Sequence, residues 1–282
     1  GDKKGMAASY NNIGNIYSNQ GNYEQALEYN LKGLAIRKEI GDKKGKGNSY
    51  GNIGNIYHNQ GNYEKALEYH SKSLAIDEEL ADKKGMGYSY NNIGNIYDNQ
   101  GKKEKALEYY EKSLKIAEEI EIKVLAVASY SNLGLIYYEQ GNDEVAIDYY
   151  KKGLKICEEI DIHQYASALY ENIGFIYKDQ GNYEKALEYL LKSKNIKQEI
   201  NTIKGLDKTS KSLSEVYKKL GKYKQAIEMH ELYMETKDSI SKMDAQEELY
   251  KFEVDKEYEL KKQADSILHA DEIIIQQAEN RA

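Results

Sequence analysis

The chain has 282 residues, 40% of them hydrophobic, which is enough for one large or two ordinary domains with a sizeable core and no need of cross-links. Forty basic and 47 acidic side chains are interspersed to a net charge of −7, so no large basic field exists to hold a phosphate backbone, and nucleic acid is excluded as the expected partner. No apolar run approaches the roughly 20 residues that span a bilayer, so this chain is expected to make no membrane contact.

From the N-terminus the sequence repeats itself every forty residues. YNNIGNIYSNQGNYEQALEY (10–29) returns at 50–69, 90–109, 130–149 and 170–189, and in degenerate form as SKSLSEVYKKLGKYKQAIEM (210–229). Within a unit, Tyr10, Ile13 and Tyr17, then Tyr23, Ala26, Leu27, Leu34 and Ile36, fall at helical spacing on either side of a Gln-Gly-Asn break. Two helices are predicted per unit. Gly21 ends the first in a left-handed turn, Asn22 caps the second, and Gly41-Asp42 repeats that logic between units. A glycine at 14, 54, 94, 134 and 174 sits inside the first helix, where it costs about 1 kcal/mol against alanine. A neighbouring helix is therefore expected to lie on that bare backbone. With 28 tyrosines, two phenylalanines and no tryptophan, tyrosine is expected to be the main large packing residue.

This constellation, carried by Tyr10, Ile13, Gly14, Tyr17, Gly21, Tyr23 and Ala26 and their counterparts over about residues 1–240, resembles the tetratricopeptide repeat (TPR). Two features depart from the common pattern: the proline after the second helix is missing, and the period is longer, which is similar to the long repeats of kinesin light chains, spindle-orientation adaptors and bacterial peptide-responsive regulators and sensors. The resemblance implies an all-α fold: a right-handed superhelical solenoid of about six helical hairpins (1–240), followed by a charged C-terminal helix (241–282). It also implies a concave face lined by first helices, which points to binding of a protein or an extended peptide.

In that family the lining positions fall here on Asn11, Asn15, Ser18 and Asn19, and spacing alone puts Asn11 and Asn15 on a different stripe from Tyr10, Ile13 and Tyr17. The stripe continues through Asn55 and Asn59, then Asn91, Asn95 and Asn99. An amide carries both donor and acceptor, so Asn15, Asn55 and Asn95 can clamp the backbone of an extended chain. Leu135, Tyr138 and Phe175 predict an apolar pocket further along, with Lys178 favouring acidic groups. Two plainer readings stand beside this one. The asparagines at 12, 52, 92, 132 and 172 are expected to bond structurally, and the ladder itself fits solvated filler, because Asn, Lys, Ile and Tyr all have AT-rich codons.

Nothing else in the chain reads as chemistry. The five histidines lack zinc spacing, the Gly-rich phrases lack the context of a phosphate loop, and paired acids such as Glu118-Glu119 suit a solvated face. Cys157 falls on an apolar helical position and reads as a buried thiol. No enzyme, metal or cofactor is expected.

From about Ser241 the period stops, and an imperfect stripe of Leu249, Phe252, Leu260, Ala264, Ile267, Leu268, Ile274 and Ile275 predicts a helix that caps the solenoid, forms a homodimer or leads to a further domain. This segment is similar to the one preceding the membrane span in bacterial TPR sensor kinases and cyclases. That resemblance implies an alternative role as the sensory, dimerising region of a signalling receptor, and leaves the compartment open between cytoplasm and periplasm. A start at Gly1 without methionine, on a phrase that recurs at 41–45, reads as a piece of a longer protein.

Overall fold

A computed structural model describes residues 2–279, with side chains described to Gln263 except those of Asp255, Lys261 and Lys262. Among the described residues there are twelve helices and no strand. They run as six antiparallel pairs: α1 (Lys3–Asn19) with α2 (Tyr23–Glu39), α3 (Lys43–Asn59) with α4 (Tyr63–Glu79), α5 (Lys83–Asn99) with α6 (Lys103–Glu119), α7 (Lys123–Glu139) with α8 (Asp143–Ile160), α9 (His163–Asp179) with α10 (Tyr183–Glu199), and α11 (Leu206–Lys219) with α12 (Tyr223–Glu279). Each helix packs on its hairpin partner and on the next pair, which makes the fold a solenoid.

The punctuation works as the sequence predicts, with exceptions. Gly21 turns at φ +75° and Gly41 at φ +70°. Asp2, Asp42 and Asp82 accept from the backbone N–H of Gly5, Gly45 and Gly85 at 2.9, 2.9 and 3.1 Å, each capping a first helix. Asn62 and Asn182 cap their second helices in the same way, but Asn22 does not: it is buried and its amide has no partner.

The core itself is aliphatic rather than tyrosine-built. Ile53, Ile56, Leu133, Ile136, Leu169, Ile173 and Ile176 are at most 1% exposed, together with the alanine at 26, 66, 106, 146 and 186. Of the tyrosines, only Tyr110, Tyr130 and Tyr150 are buried with them. Most other tyrosines pack ring on ring within the first five hairpins, as Tyr17 does on Tyr29 at 5.5 Å, both half-buried. Cys157 is 2% exposed and burial pushes its thiol to about 11, so it stays protonated as an inert packing group.

The period stops near 240 but the helix does not. α12 runs 57 residues without a break, about 85 Å at 1.5 Å per residue. Leu249, Phe252 and Leu260 are about three-fifths exposed on it, while the side chains of Ala264, Ile267, Leu268, Ile274 and Ile275 lie outside the described residues.

Candidate functional site

The first-helix glycines define a floor. A Cβ at Gly14, Gly54, Gly94, Gly134 or Gly174 would come within 2.1–2.7 Å of one side chain of the paired helix, in turn Asn30, His70, Tyr110, Tyr150 and Leu190. This one position therefore changes from polar to apolar along the solenoid, beneath an almost constant first helix.

Above that floor the expected ladder divides. Asn15 and Asn55 are exposed and their side chains make no hydrogen bond among the described residues. Asn95 is committed inward: its Oδ1 accepts from the Tyr110 hydroxyl at 2.8 Å and from Asn132 Nδ2 at 3.1 Å, which occupies both lone pairs. Asn11 is 5% exposed and donates to Ser49 Oγ at 3.2 Å across the first seam between repeats. Asn91 is 8% exposed and its Nδ2 has no partner. Asn99 reaches His58 Nε2 at 2.7 Å, and Asn19 and Asn59 are exposed at the hairpin-turn end.

Further along, Leu135 is exposed, while Tyr138 and Phe175 are half-buried and pack into two different core clusters. The Tyr138 hydroxyl donates to Asp179 at 2.5 Å, and that hydrogen bond holds its proton at a pKa of about 12. Lys178 lies over the Phe175 ring and pairs with Glu215 at 3.0 Å, so its charge is already engaged.

Asn15 and Asn55 line a cavity of 540 Å3 between the first three repeats. Three of its walls have no counterpart in the expected ladder. Arg37, 8% exposed, donates from Nη1 to the Gly45 carbonyl and to Ser49 Oγ, both at 2.7 Å, and desolvation depresses its pKa. Asp77, equally buried, accepts from Ser89 Oγ at 3.0 Å, and burial raises its pKa. His70 is 1% exposed, neither ring nitrogen has a partner, and burial holds its pKa near 4, so it is neutral. A signal for them does exist in the sequence: equivalent positions in near-identical repeats read Arg37, Asp77, Ala117, Cys157 and Lys197, and variation within such a constant frame marks a place with its own job.

The rim is partly covered by the chain itself. α12 returns to the first repeat, where the Tyr258 hydroxyl donates to Glu28 Oε2 at 2.5 Å and Lys251 stands 5.6 Å from the centre of the Tyr23 ring. A second space of 540 Å3 lies between Ser18, Asn19 and Asn59 on one side and Asp244, Glu247 and Glu248 on the other. Among the described residues no His/Cys/Asp/Glu group is placed to hold a metal, and no helix is long and apolar enough to cross a membrane.

The family model described as tetratricopeptide repeat matches residues 5–79, 45–119, 85–159 and 164–239. No curated protein matches the chain in sequence. Among solved structures it is similar to BtubC (BKLC) from P. vanneervenii, with a TM-score of 0.66 and 20% identity over 86% of this chain and 93% of that one. It is similar also to a signal transduction ATPase with a tetratricopeptide repeat sensor from Pyrococcus horikoshii (TM-score 0.72, 22% identity, 88% of this chain and 38% of that one). A third is a Rap protein solved in complex with Competence and Sporulation Factor (TM-score 0.65, 18% identity, 84% of this chain and 76% of that one). At these identities the likeness is one of fold.

Proposed function

Since this chain belongs to the tetratricopeptide repeat family, we propose that it is a non-enzymatic interaction module that holds an extended peptide or protein segment against its first helices. The observation that carries this reading is the pair Asn15 and Asn55: exposed, one repeat apart, without hydrogen-bond partners among the described residues, and lining a 540 Å3 cavity. Packed helices are typically spaced by about 8–10 Å, which is roughly three residues of an extended strand at about 3.3 Å each, so amides one repeat apart can stay in step with a bound backbone. Asn95 supports the clamp from below by positioning its neighbours, since its acceptor is already used. Leu135 and Phe175 supply apolar contact beyond it. A Rap protein of similar fold has been solved in complex with Competence and Sporulation Factor, which supports reading this fold as one that holds a separate ligand.

The test is selection from a displayed random-peptide library on the full chain, followed by affinity measurement with Asn15→Ala/Asn55→Ala. The double variant is expected to bind selected peptides at least tenfold more weakly with an unchanged melting temperature; equal affinity overturns the clamp.

A second reading, as the sensory and dimerising part of a signalling receptor, is favoured by one observation: α12 is continuous from the sixth hairpin to Glu279, a rigid lever with exposed Leu249 and Phe252. Light scattering at rising concentration tests it. A dimer that disappears with Leu249→Glu/Phe252→Glu supports this role, and a monomer throughout argues against it.

A further inference from the structure

Arg37 and Asp77 hold the same place in the first and second repeats, forty residues apart, with opposite charges. Both line the 540 Å3 cavity, both are 8% exposed, and neither has an ion pair among the described residues. Lys44, the cation whose field acts on Asp77, is held by Asp82 at 2.8 Å, and Asp42, the carboxylate whose field acts on Arg37, accepts from the Gly45 backbone N–H at 2.9 Å. Burying a charge without a direct ion pair is costly, and hydrogen bonds such as those from Ser89 to Asp77 and from Arg37 to Gly45 offset only part of that cost.

Seam packing does not require these charges. The next two repeats fill the same place with Ala117 and Cys157, both at most 2% exposed. Lys197 is charged there but is completed within the chain, pairing with Glu171 at 2.9 Å and donating to Thr209 at 2.8 Å. Arg37 and Asp77 are thus the two buried charges of this column without an ion pair among the described residues, and they share one cavity.

We infer that the cavity reads side-chain charge: Arg37 receives an acidic side chain of the bound segment, and Asp77 receives a basic one about three residues away. This rests on the peptide-binding reading above and names its ligand as a segment with opposite charges at a spacing of three. A free α-amino acid holds both charges on one carbon and does not span a repeat.

Fluorescence anisotropy on the full chain tests the inference with labelled ten-residue peptides in a serine–alanine background: Glu-x-x-Lys, Lys-x-x-Glu, Glu-x-x-Glu, Lys-x-x-Lys, and an uncharged control. One of the two mixed orders, set by the direction of binding, is expected to bind at least tenfold more tightly than the rest. Asp77→Asn, which retains an acceptor for Ser89, is expected to reduce that peptide to the affinity of its Lys→Ser analogue, with the circular dichroism spectrum unchanged. Arg37→Gln is expected to do the same for the acidic residue. Equal binding of mixed-charge and uncharged peptides, still sensitive to Asn15→Ala/Asn55→Ala, overturns the charge inference and leaves the groove standing. An unchanged ranking in Asp77→Asn overturns it as well. Failure of every peptide to bind overturns the peptide reading itself.

Discussion

His70 is the residue at which stability and site meet. Its folded pKa, near 4, lies below the ordinary 6.5 because burial disfavours the cation, with His58 adding to the shift. Between those values the unfolded chain takes up a proton that the folded chain refuses, so stability is complete above pH 6.5 and declines as pH falls toward 4. The loss approaches about 3 kcal/mol at 1.36 kcal/mol per unit. Urea unfolding at pH 7 and pH 4.5 is expected to show this decline in the wild type and a shallower one in His70→Asn, which installs the Asn30 of the first repeat; parallel profiles would remove His70 as the cause. Gly94 argues on the other side of the same floor. A Cβ there meets the Tyr110 ring at 2.7 Å, so Gly94→Ala is expected to cost about 1–2 kcal/mol despite alanine's better helix propensity, read as a lower melting temperature. The mid-helix glycine alone announced that contact in the sequence. The identity of what lies on it was not legible, because the partner is sixteen residues away on another helix, and neither is the fate of Asn95, whose acceptor is taken by Tyr110 and Asn132.

At the scale of elements, helix boundaries were readable because each break is written in residues with a mechanism. Glycine at 21, 61, 101, 141, 181 and 221 takes φ between +72° and +77° in every hairpin turn. Between repeats the same left-handed geometry is kept, but glycine only at the first boundary, where Gly41 sits at φ +70°; Ala81, Glu121, Asp161 and Asn201 sit at φ +50° to +56°. A non-glycine residue there costs on the order of 1 kcal/mol in strain, offset for glycine by greater chain entropy in the unfolded state. Ala81→Gly is therefore expected to be neutral to stabilising by up to about 1 kcal/mol, and Gly41→Ala destabilising by a similar amount; chemical denaturation showing both changes with the same sign would refute this account. Asn22 marks the limit of pattern reading. It has the sequence of a cap yet makes no capping bond, although Asn62 in the same context does.

Over the whole molecule, the six hairpins followed from the period, but the return of α12 to the first repeat did not, since Tyr258 and Glu28 are 230 residues apart and no local pattern links them. The contact depends on side chains: the Tyr258 hydroxyl on Glu28, Lys251 against Tyr23, and three acids of α12 facing Asn19 and Asn59. Such exposed charged contacts contribute little each and are screened by salt. Asn19 and Asn59, expected on sequence to touch a ligand, face this crossing helix across a space of 540 Å3, so a segment entering the groove there meets it. Electron–electron distance measurement between spin labels at positions 18 and 247, in a Cys157→Ala background, is expected to give a short, narrow distribution in the parent. Tyr258→Phe/Lys251→Ala, or high salt, is expected to broaden and lengthen it. A peptide bound along Asn15 and Asn55 that left the distance unchanged would mean that groove and crossing helix are occupied independently, whereas a lengthening would couple binding at one end of the solenoid to movement of the helix that leaves the other.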